Sequence, residues 1–251
     1  MHYVSHGNGD NLVVGLHGWT GDHTHFDALA KHVPEGSRLV AFDLPGFGQS
    51  KAPDSWAMED VGRALADEVD RLQGSTLTIV TNCSGAYPAL KAVPHLVRKA
   101  DRLVLVDAFA YAPKYFRVFT NQSWGHHAYR ATFANPIGRR ITNAALRGQK
   151  RDMTADFKTA NHEHTLAWLR SCVDIGDCRQ FANVQLPTLI AYGEKTFSAV
   201  RKSLPMWSEI WPHAETVQLS GAGHLGLVEA AAQLSESVFA PATVKGASHA
   251  A

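Results

Sequence analysis

The stretch from Leu77 to Leu90, Leu-Thr-Ile-Val-Thr-Asn-Cys-Ser-Gly-Ala-Tyr-Pro-Ala-Leu, constrains this chain more than any other. It opens with apolar and β-branched residues and passes through small and polar ones around Cys83. It then places Ala86, Ala89 and Leu90 at helical spacing, which predicts a strand, a very tight turn and a helix. Cys83 falls at the tip, where the backbone is strained and the flanking positions have to be small so that strand and helix can pass closely. Gly85 meets that demand and Thr81 meets it less well. A thiol at the start of a helix faces N–H groups and the positive end of the dipole, which favour thiolate over thiol. Two other readings stand beside this one. Cys83 could be a small buried hydrophobe, as isolated cysteines usually are. Alternatively, Ser84 could occupy the tip, which puts Asn82 and Ala86 at the small positions and lengthens the strand by one residue.

At these residues the chain resembles the α/β-hydrolase superfamily, whose nucleophile elbow reads G-x-S-x-G, with Cys83 standing where serine is commonest. Dienelactone hydrolases and polyhydroxyalkanoate synthases carry cysteine there. Upstream, Asn11 to Leu16 runs as a strand into His17-Gly18-Trp19. The resemblance implies that the backbone N–H groups of Trp19 and Ser84 form the oxyanion hole, where losing one donor costs on the order of 3 kcal/mol. Asp43-Leu-Pro-Gly-Phe-Gly-Gln-Ser50 is close to the superfamily's Asp-x-x-Gly-x-Gly-x-Ser turn. A phosphate-binding reading of those glycines lacks the Gly-x-x-x-x-Gly-Lys pattern, and Lys51 to Asp54 separates them from the next helix.

The surrounding rhythm is strand, helix, strand, helix. His23 to Val33 reads as a helix, Ser37 to Phe42 as a strand, and Ser55 to Leu72 as an amphipathic helix with Trp56, Val61, Leu65, Val69 and Leu72 on one stripe. Arg102 to Val106 is an apolar strand ending on Asp107. Fully apolar strands alternating with helices imply an α/β fold with a mostly parallel central sheet covered by helices on both faces, its ligands held at the carboxyl ends of the strands. From Ala108 to Leu186 the strand rhythm stops and aromatic residues recur in helical patterns. The expected organisation is a core over residues 1–107, an all-helical cap over 108–186 roofing the site, and the rest of the core over 187–251. Its last elements are a strand at Pro187 to Tyr192, a helix through Trp211, a strand near Thr216 to Leu219 and a terminal helix, with a frayed tail after Ala240.

His224 follows the last strand in Gly-Ala-Gly-His, where the resembled superfamily keeps its catalytic base. The third member departs from pattern. Most relatives carry the acid after the strand that follows the cap, in a string like Gly-x-x-Asp, but here the string is Gly193-Glu194-Lys195-Thr196. Some relatives, the haloalkane dehalogenases among them, carry it one strand earlier, and Asp107 matches that position. Glu194, or no acid at all, are the alternatives.

Composition removes other classes. A length of 251 residues that are 45% hydrophobic is enough for a sizeable core, and a net charge of +1 with no long basic run argues against nucleic acid as partner. Three cysteines fit neither a disulfide framework nor a zinc-finger spacing. Asn-His-Glu-His at 161–164 lacks the His-Glu-x-x-His spacing, so no metal and no cofactor is expected. No membrane insertion and a cytoplasmic location are expected from the lack of a long apolar span and of a secretion signal. The expected activity is hydrolysis of an ester, thioester or lactone with an apolar acyl or ring portion, through a covalent Cys83-acyl intermediate and a Cys83–His224–Asp107 triad. An acyltransferase or C–C bond-forming enzyme using the same thioester is the alternative. A cofactor-free dioxygenase and a catalytically silent small-molecule binder are two further readings.

Overall fold

The computed structural model describes residues 1–240, and the tail expected after Ala240 lies outside them. Seven strands, β1 (Tyr3–Gly7), β2 (Asn11–Leu16), β3 (Ser37–Phe42), β4 (Thr76–Asn82), β5 (Arg102–Val106), β6 (Thr188–Gly193) and β7 (Glu215–Leu219), form one sheet in the order β1-β3-β2-β4-β5-β6-β7. Only β1 is antiparallel, with Tyr3 opposite Phe42 and Gly7 opposite Arg38. Strand β1 carries no signature in the sequence, because its residues alternate between exposed and partly buried and no apolar run marks it.

The helices are α1 (Asp27–Ala30), α2 (Met58–Asp70), α3 (Ala86–Ala92), α4 (Phe116–Thr120), α5 (Gly125–Tyr129), α6 (Pro136–Ala145), α7 (His162–Asp174), α8 (Ser198–Ile210), α9 (Gly226–Glu229) and α10 (Ala231–Val238). Successive strand residues point to opposite faces. Leu12, Val14 and Leu16 of β2, with Leu103 and Leu105 of β5, therefore join a core with Val61, Leu65 and Val69 of α2 and Trp207 of α8. Val13, Val104 and Val106 face the other way, onto Phe26, Leu29 and Leu234. Helices thus cover both faces, as the apolar strands require.

The helix expected over His23 to Val33 is instead a 3₁₀ turn, His23–Phe26, followed by the single turn of α1. Its first residue is tied down elsewhere, since the His23 backbone N–H donates to Asp43 Oδ1 at 2.8 Å. Between β5 and β6 the described chain is helical apart from turns and one isolated bridge, Tyr111 to Asp177. Tyr129, Phe133, Phe157 and Leu166 give this insertion a small core of its own, on which Trp19 packs. His162 and His164 go to separate partners, the Tyr129 hydroxyl at 3.2 Å and the Gly46 carbonyl at 2.9 Å. Among the described residues no helix is long and apolar enough to cross a membrane.

Candidate active site

Three non-glycine residues have positive φ among the described residues: Thr20 (67°), Cys83 (51°) and Asp107 (52°). They sit just beyond β2, β4 and β5, so the strain is concentrated at the carboxyl edge of three adjacent strands. Residues other than glycine hold that conformation only where surrounding contacts enforce it, at a cost of about 1–3 kcal/mol each. At the bend after β4, a Cβ on Gly85 would lie 2.4 Å from the His17 carbonyl oxygen, and one on Gly18 would lie 2.9 Å from Cys83 Cβ. The strand, the bend and the His17-Gly18 loop are pressed together, which is why both positions are glycine. Thr81, the departure noted in the sequence, is buried within β4, and its hydroxyl reaches the Val104 carbonyl at 3.5 Å.

Cys83 is the residue at the tip, and Ser84 is already engaged: its hydroxyl accepts from the Trp168 indole N–H at 3.0 Å. Burial pushes the Cys83 thiol up to about 12, the Asp107 charge adds to that, and the backbone N–H groups of Ser84 and Trp19 pull it back. The two N–H groups expected as oxyanion donors thus both act on the sulfur. Desolvation thus opposes the thiolate that a helix start favours, and the two N–H dipoles offset it only in part. Alkylation of Cys83 by iodoacetamide is accordingly expected to be slow at neutral pH and to climb about tenfold per pH unit to beyond pH 10. Intact mass read over time checks this, and a plateau near pH 8 would refute it.

His17 sets the loop in place. Its Nδ1–H donates to the Gly18 carbonyl at 2.8 Å, and its Nε2 accepts from the Leu44 N–H at 2.9 Å. Burial holds it neutral, with a pKa lowered to about 4. Trp19 then projects outward, its indole donating to the Thr165 carbonyl at 2.9 Å and its ring packed edge-on against Phe116, Phe133 and Phe157. The helical insertion therefore lies directly on the loop that carries one of the two donors.

His224 is 5% exposed, and burial alone lowers its pKa to about 3. Its backbone N–H donates to Gln149 Oε1 at 2.8 Å, and its ring packs on Phe197 and Phe109, with centroids 4.4 Å and 5.6 Å away. Cys83 packs against the same Phe109. The thiol and the imidazole thus share a neighbour, but no hydrogen bond joins them among the described residues.

Among the described residues no hydrogen bond joins Asp107 to His224. The group at His224 Nδ1 is the Thr196 hydroxyl, at 3.3 Å. Asp107 Oδ1 accepts the Gly193 N–H at 3.0 Å, while Oδ2 is buried with no partner at hydrogen-bonding geometry among the described residues. Burial pushes this carboxyl up to about 7, against the Thr196 hydroxyl and the N–H groups of Gly193 and Gly226, which favour its charge. Glu194, the alternative acid, turns away to accept the Gly221 N–H at 2.6 Å. Thr196 therefore stands between carboxylate and imidazole. The sequence marked its position only as a vacancy, and nothing in the sequence alone pointed to Phe109, Gln149 or Trp168.

The cleft at Cys83 is narrow and apolar, with room of about 20 Å³, little more than one water, and is lined by Trp19, Tyr87, Phe109, Phe116, Leu169 and Cys172. A roomier groove of about 740 Å³ lies elsewhere, beside His2 and Ser50. The chemistry, not the volume, singles out the first.

Residues 11–231 match the alpha/beta hydrolase fold family. The chain belongs to that family. Among curated proteins it is similar to a serine hydrolase-like protein of Danio rerio, 31% identical over 126 residues, which cover 45% of this chain. The match covers 36% of that longer protein, so the chain spans about a third of the relative. Among solved structures it resembles an alpha/beta hydrolase enzyme from a Medee basin deep-sea metagenome library, with TM-score 0.74, 18% identity and coverage of 94% of this chain and 92% of that one. It also resembles the enol-lactonase of Burkholderia xenovorans, with TM-score 0.72, 16% identity and coverage of 94% of each chain. At such identities the likeness shows the fold. The hydrolase-fold chain departs from the serine pattern at Cys83 and from the acid pattern at Thr196.

Proposed function

We propose that this protein is a hydrolase of small carboxylic esters, thioesters or lactones that works through a thioester on Cys83. The observation that carries the reading is the strained Cys83 at the end of β4, with the N–H groups of Trp19 and Ser84 acting on its sulfur. Family membership and the relatives' names, a serine hydrolase-like protein and an enol-lactonase, support the class of reaction.

In the proposed cycle His224 Nε2 takes the thiol proton as the sulfur attacks the acyl carbon, so no thiolate has to exist beforehand. The carbonyl oxygen becomes an oxyanion held by two fixed N–H donors. Collapse breaks the bond to the leaving group, which receives the proton from His224, and leaves Cys83 acylated. Water then attacks with His224 as base, releasing the acid and restoring the thiol.

Asp107 acts through Thr196 in this reading. A carboxylate only accepts hydrogen bonds, so it draws the Thr196 hydroxyl hydrogen toward itself and leaves an oxygen lone pair facing His224 Nδ1. That lone pair requires Nδ1–H, which frees Nε2 to act as the base. The insertion over residues 108–186 serves as an aromatic roof, and the narrow cleft requires Phe109 and Phe116 to shift before an acyl chain can bind. Acyl transfer to an amine, alcohol or thiol is the alternative fate of the same thioester.

Intact-mass measurement with an activated acyl ester tests the proposal. A single adduct that forms and decays on the native chain is expected. It should be absent from Cys83→Ala, and on His224→Ala it should be slow to form and slow to decay. Faster decay with added amine than with water would make the protein a transferase, and no adduct at all would make it a binder without turnover.

A further inference from the structure

Away from Cys83, two imidazoles and a carboxylate converge where the chain's start, the 3₁₀ turn at His23 and the exit of β3 meet. His2 Nδ1 lies 2.7 Å from Asp43 Oδ2, and His23 Nδ1 lies 2.7 Å from Asp43 Oδ1. One ligand atom from each residue falls within 4.8 Å of the others. The backbone fixes all three. The His2 N–H donates to Ser50 Oγ at 2.9 Å, and the Asp43 N–H donates to the His2 carbonyl at 2.9 Å. The carboxylate itself is oriented by the N–H groups of His23 and Gln49, each at 2.8 Å.

We propose that His2, His23 and Asp43 form a binding site for a divalent transition-metal ion of the zinc type. Two imidazole nitrogens and one carboxylate oxygen are a donor set that zinc accepts, with water as fourth ligand. Asp43 is fully buried, and among the described residues its ion pairs are with these two histidines and with no lysine or arginine, so an ion would supply charge that the N–H dipoles supply only in part. Metal–ligand distances of about 2.0–2.1 Å place tetrahedral ligand atoms about 3.3 Å apart, so the three ligand atoms, all within 4.8 Å of one another, reach that spacing by rotation of the two imidazole rings, which now contact different oxygens of Asp43. Each neutral ring would move its proton from Nδ1 to Nε2. Both rings are exposed enough for this, His2 by 30% and His23 by 17%, and the 740 Å³ groove beside His2 gives water access to the open position. The bound ion would cross-link three chain segments and brace the turn whose Leu44 N–H holds His17, and so lies one contact from the loop bearing Trp19.

Cobalt(II) and zinc(II) titrated into Cys83→Ser, which removes the candidate nucleophile as a ligand, test the site. The expected results are one Co²⁺ per chain with the visible absorption of four-coordinate cobalt, displacement by one equivalent of Zn²⁺, and a Tm raised by several degrees that EDTA reverses. His2→Asn and His23→Asn retain a side-chain N–H for Asp43 and so keep the metal-free fold, which circular dichroism verifies. Each is expected to weaken binding at least about tenfold, and together they should abolish the Tm rise. Absence of saturable binding near one equivalent would overturn the proposal. Unchanged affinity in the double variant would also overturn it, placing the ion on other histidines such as His126 and His127.

Discussion

Cys83→Ala is expected to lower kcat on any acyl substrate the protein turns over by at least about a thousandfold, with Tm unchanged to within about two degrees. The large effect follows from covalency: without the sulfur no thioester forms, and the N–H groups of Trp19 and Ser84 alone provide only the residual catalysis of an oxyanion hole. The small structural effect follows from position. Cys83 is partly exposed, alanine tolerates the 51° φ as poorly as cysteine does, and the atom lost lines a cleft instead of a packed core. Cys83→Ser separates two versions of the mechanism. If the native enzyme worked through a standing thiolate–imidazolium pair, an alkoxide with its much higher pKa could not replace it, and serine would be as dead as alanine. Burial instead keeps both His224 and the thiol neutral, so proton removal accompanies attack and serine should retain at least about tenfold more activity than alanine. Full turnover by Cys83→Ala would remove the sulfur from the mechanism altogether. Ser84 could not readily take over, since Trp168 already holds its hydroxyl.

What the sequence made legible was local and periodic. The β-branched run into Cys83-Ser84-Gly85 could be read because strand, bend and helix are each specified by neighbours in the chain, and the bend lies where it was expected. The covered parallel sheet followed from apolar residues on both faces of β2, β4 and β5. What escaped depends on contacts between residues far apart. β1 has no apolar signature and exists because β3 offers it an edge. At His23 the chain makes a 3₁₀ turn whose first N–H is held by a carboxylate 20 residues away, a contact that no local pattern announces. The role of Thr196 was hidden for a similar reason. Spacing alone showed that the usual acid was missing, while only the fold shows the hydroxyl set at His224 Nδ1 with Asp107 beyond it. The sequence reveals a helix start at Cys83 but not the aromatic side chains that line the cleft and push the thiol's pKa up.

Asp107→Asn is expected to stabilise the protein and disable it at the same time. Burial lifts the Asp107 carboxyl from the ordinary 3.8 to about 7, so between those values the folded chain holds a proton that the unfolded chain has released. Folding stability therefore falls as pH rises through that window, by as much as about 4 kcal/mol at about 1.4 kcal/mol per unit. The cost is complete above pH 7. Asparagine keeps an oxygen for the Gly193 N–H and carries no charge to bury, so the variant should exceed the native chain in stability most at pH 8 and progressively less toward pH 4. For a chain of this size a gain of even 2 kcal/mol appears as roughly 4–8 °C in Tm. The comparison has to be a difference between the two proteins at each pH. His17 and His224 have pKa values lowered to about 4 and about 3, so the unfolded chain takes up protons below pH 6.5 that the folded one refuses, and both proteins weaken together on acidification. That shared loss cancels in the subtraction. Activity should move the other way, by about a hundredfold or more, because a neutral amide no longer directs the Thr196 hydroxyl and His224 loses its fixed tautomer. Thr196→Val should reproduce the activity loss without the stability gain at high pH, because it leaves the buried charge in place and removes a group that favours it. Urea melts across pH 4 to 8 on the three proteins, set beside their kcat values, read both effects. A stability difference that stays flat with pH would mean that Asp107 is ionised at no cost in the folded chain and would overturn the stability half of the prediction, while unchanged kcat in Asp107→Asn would overturn the relay through Thr196.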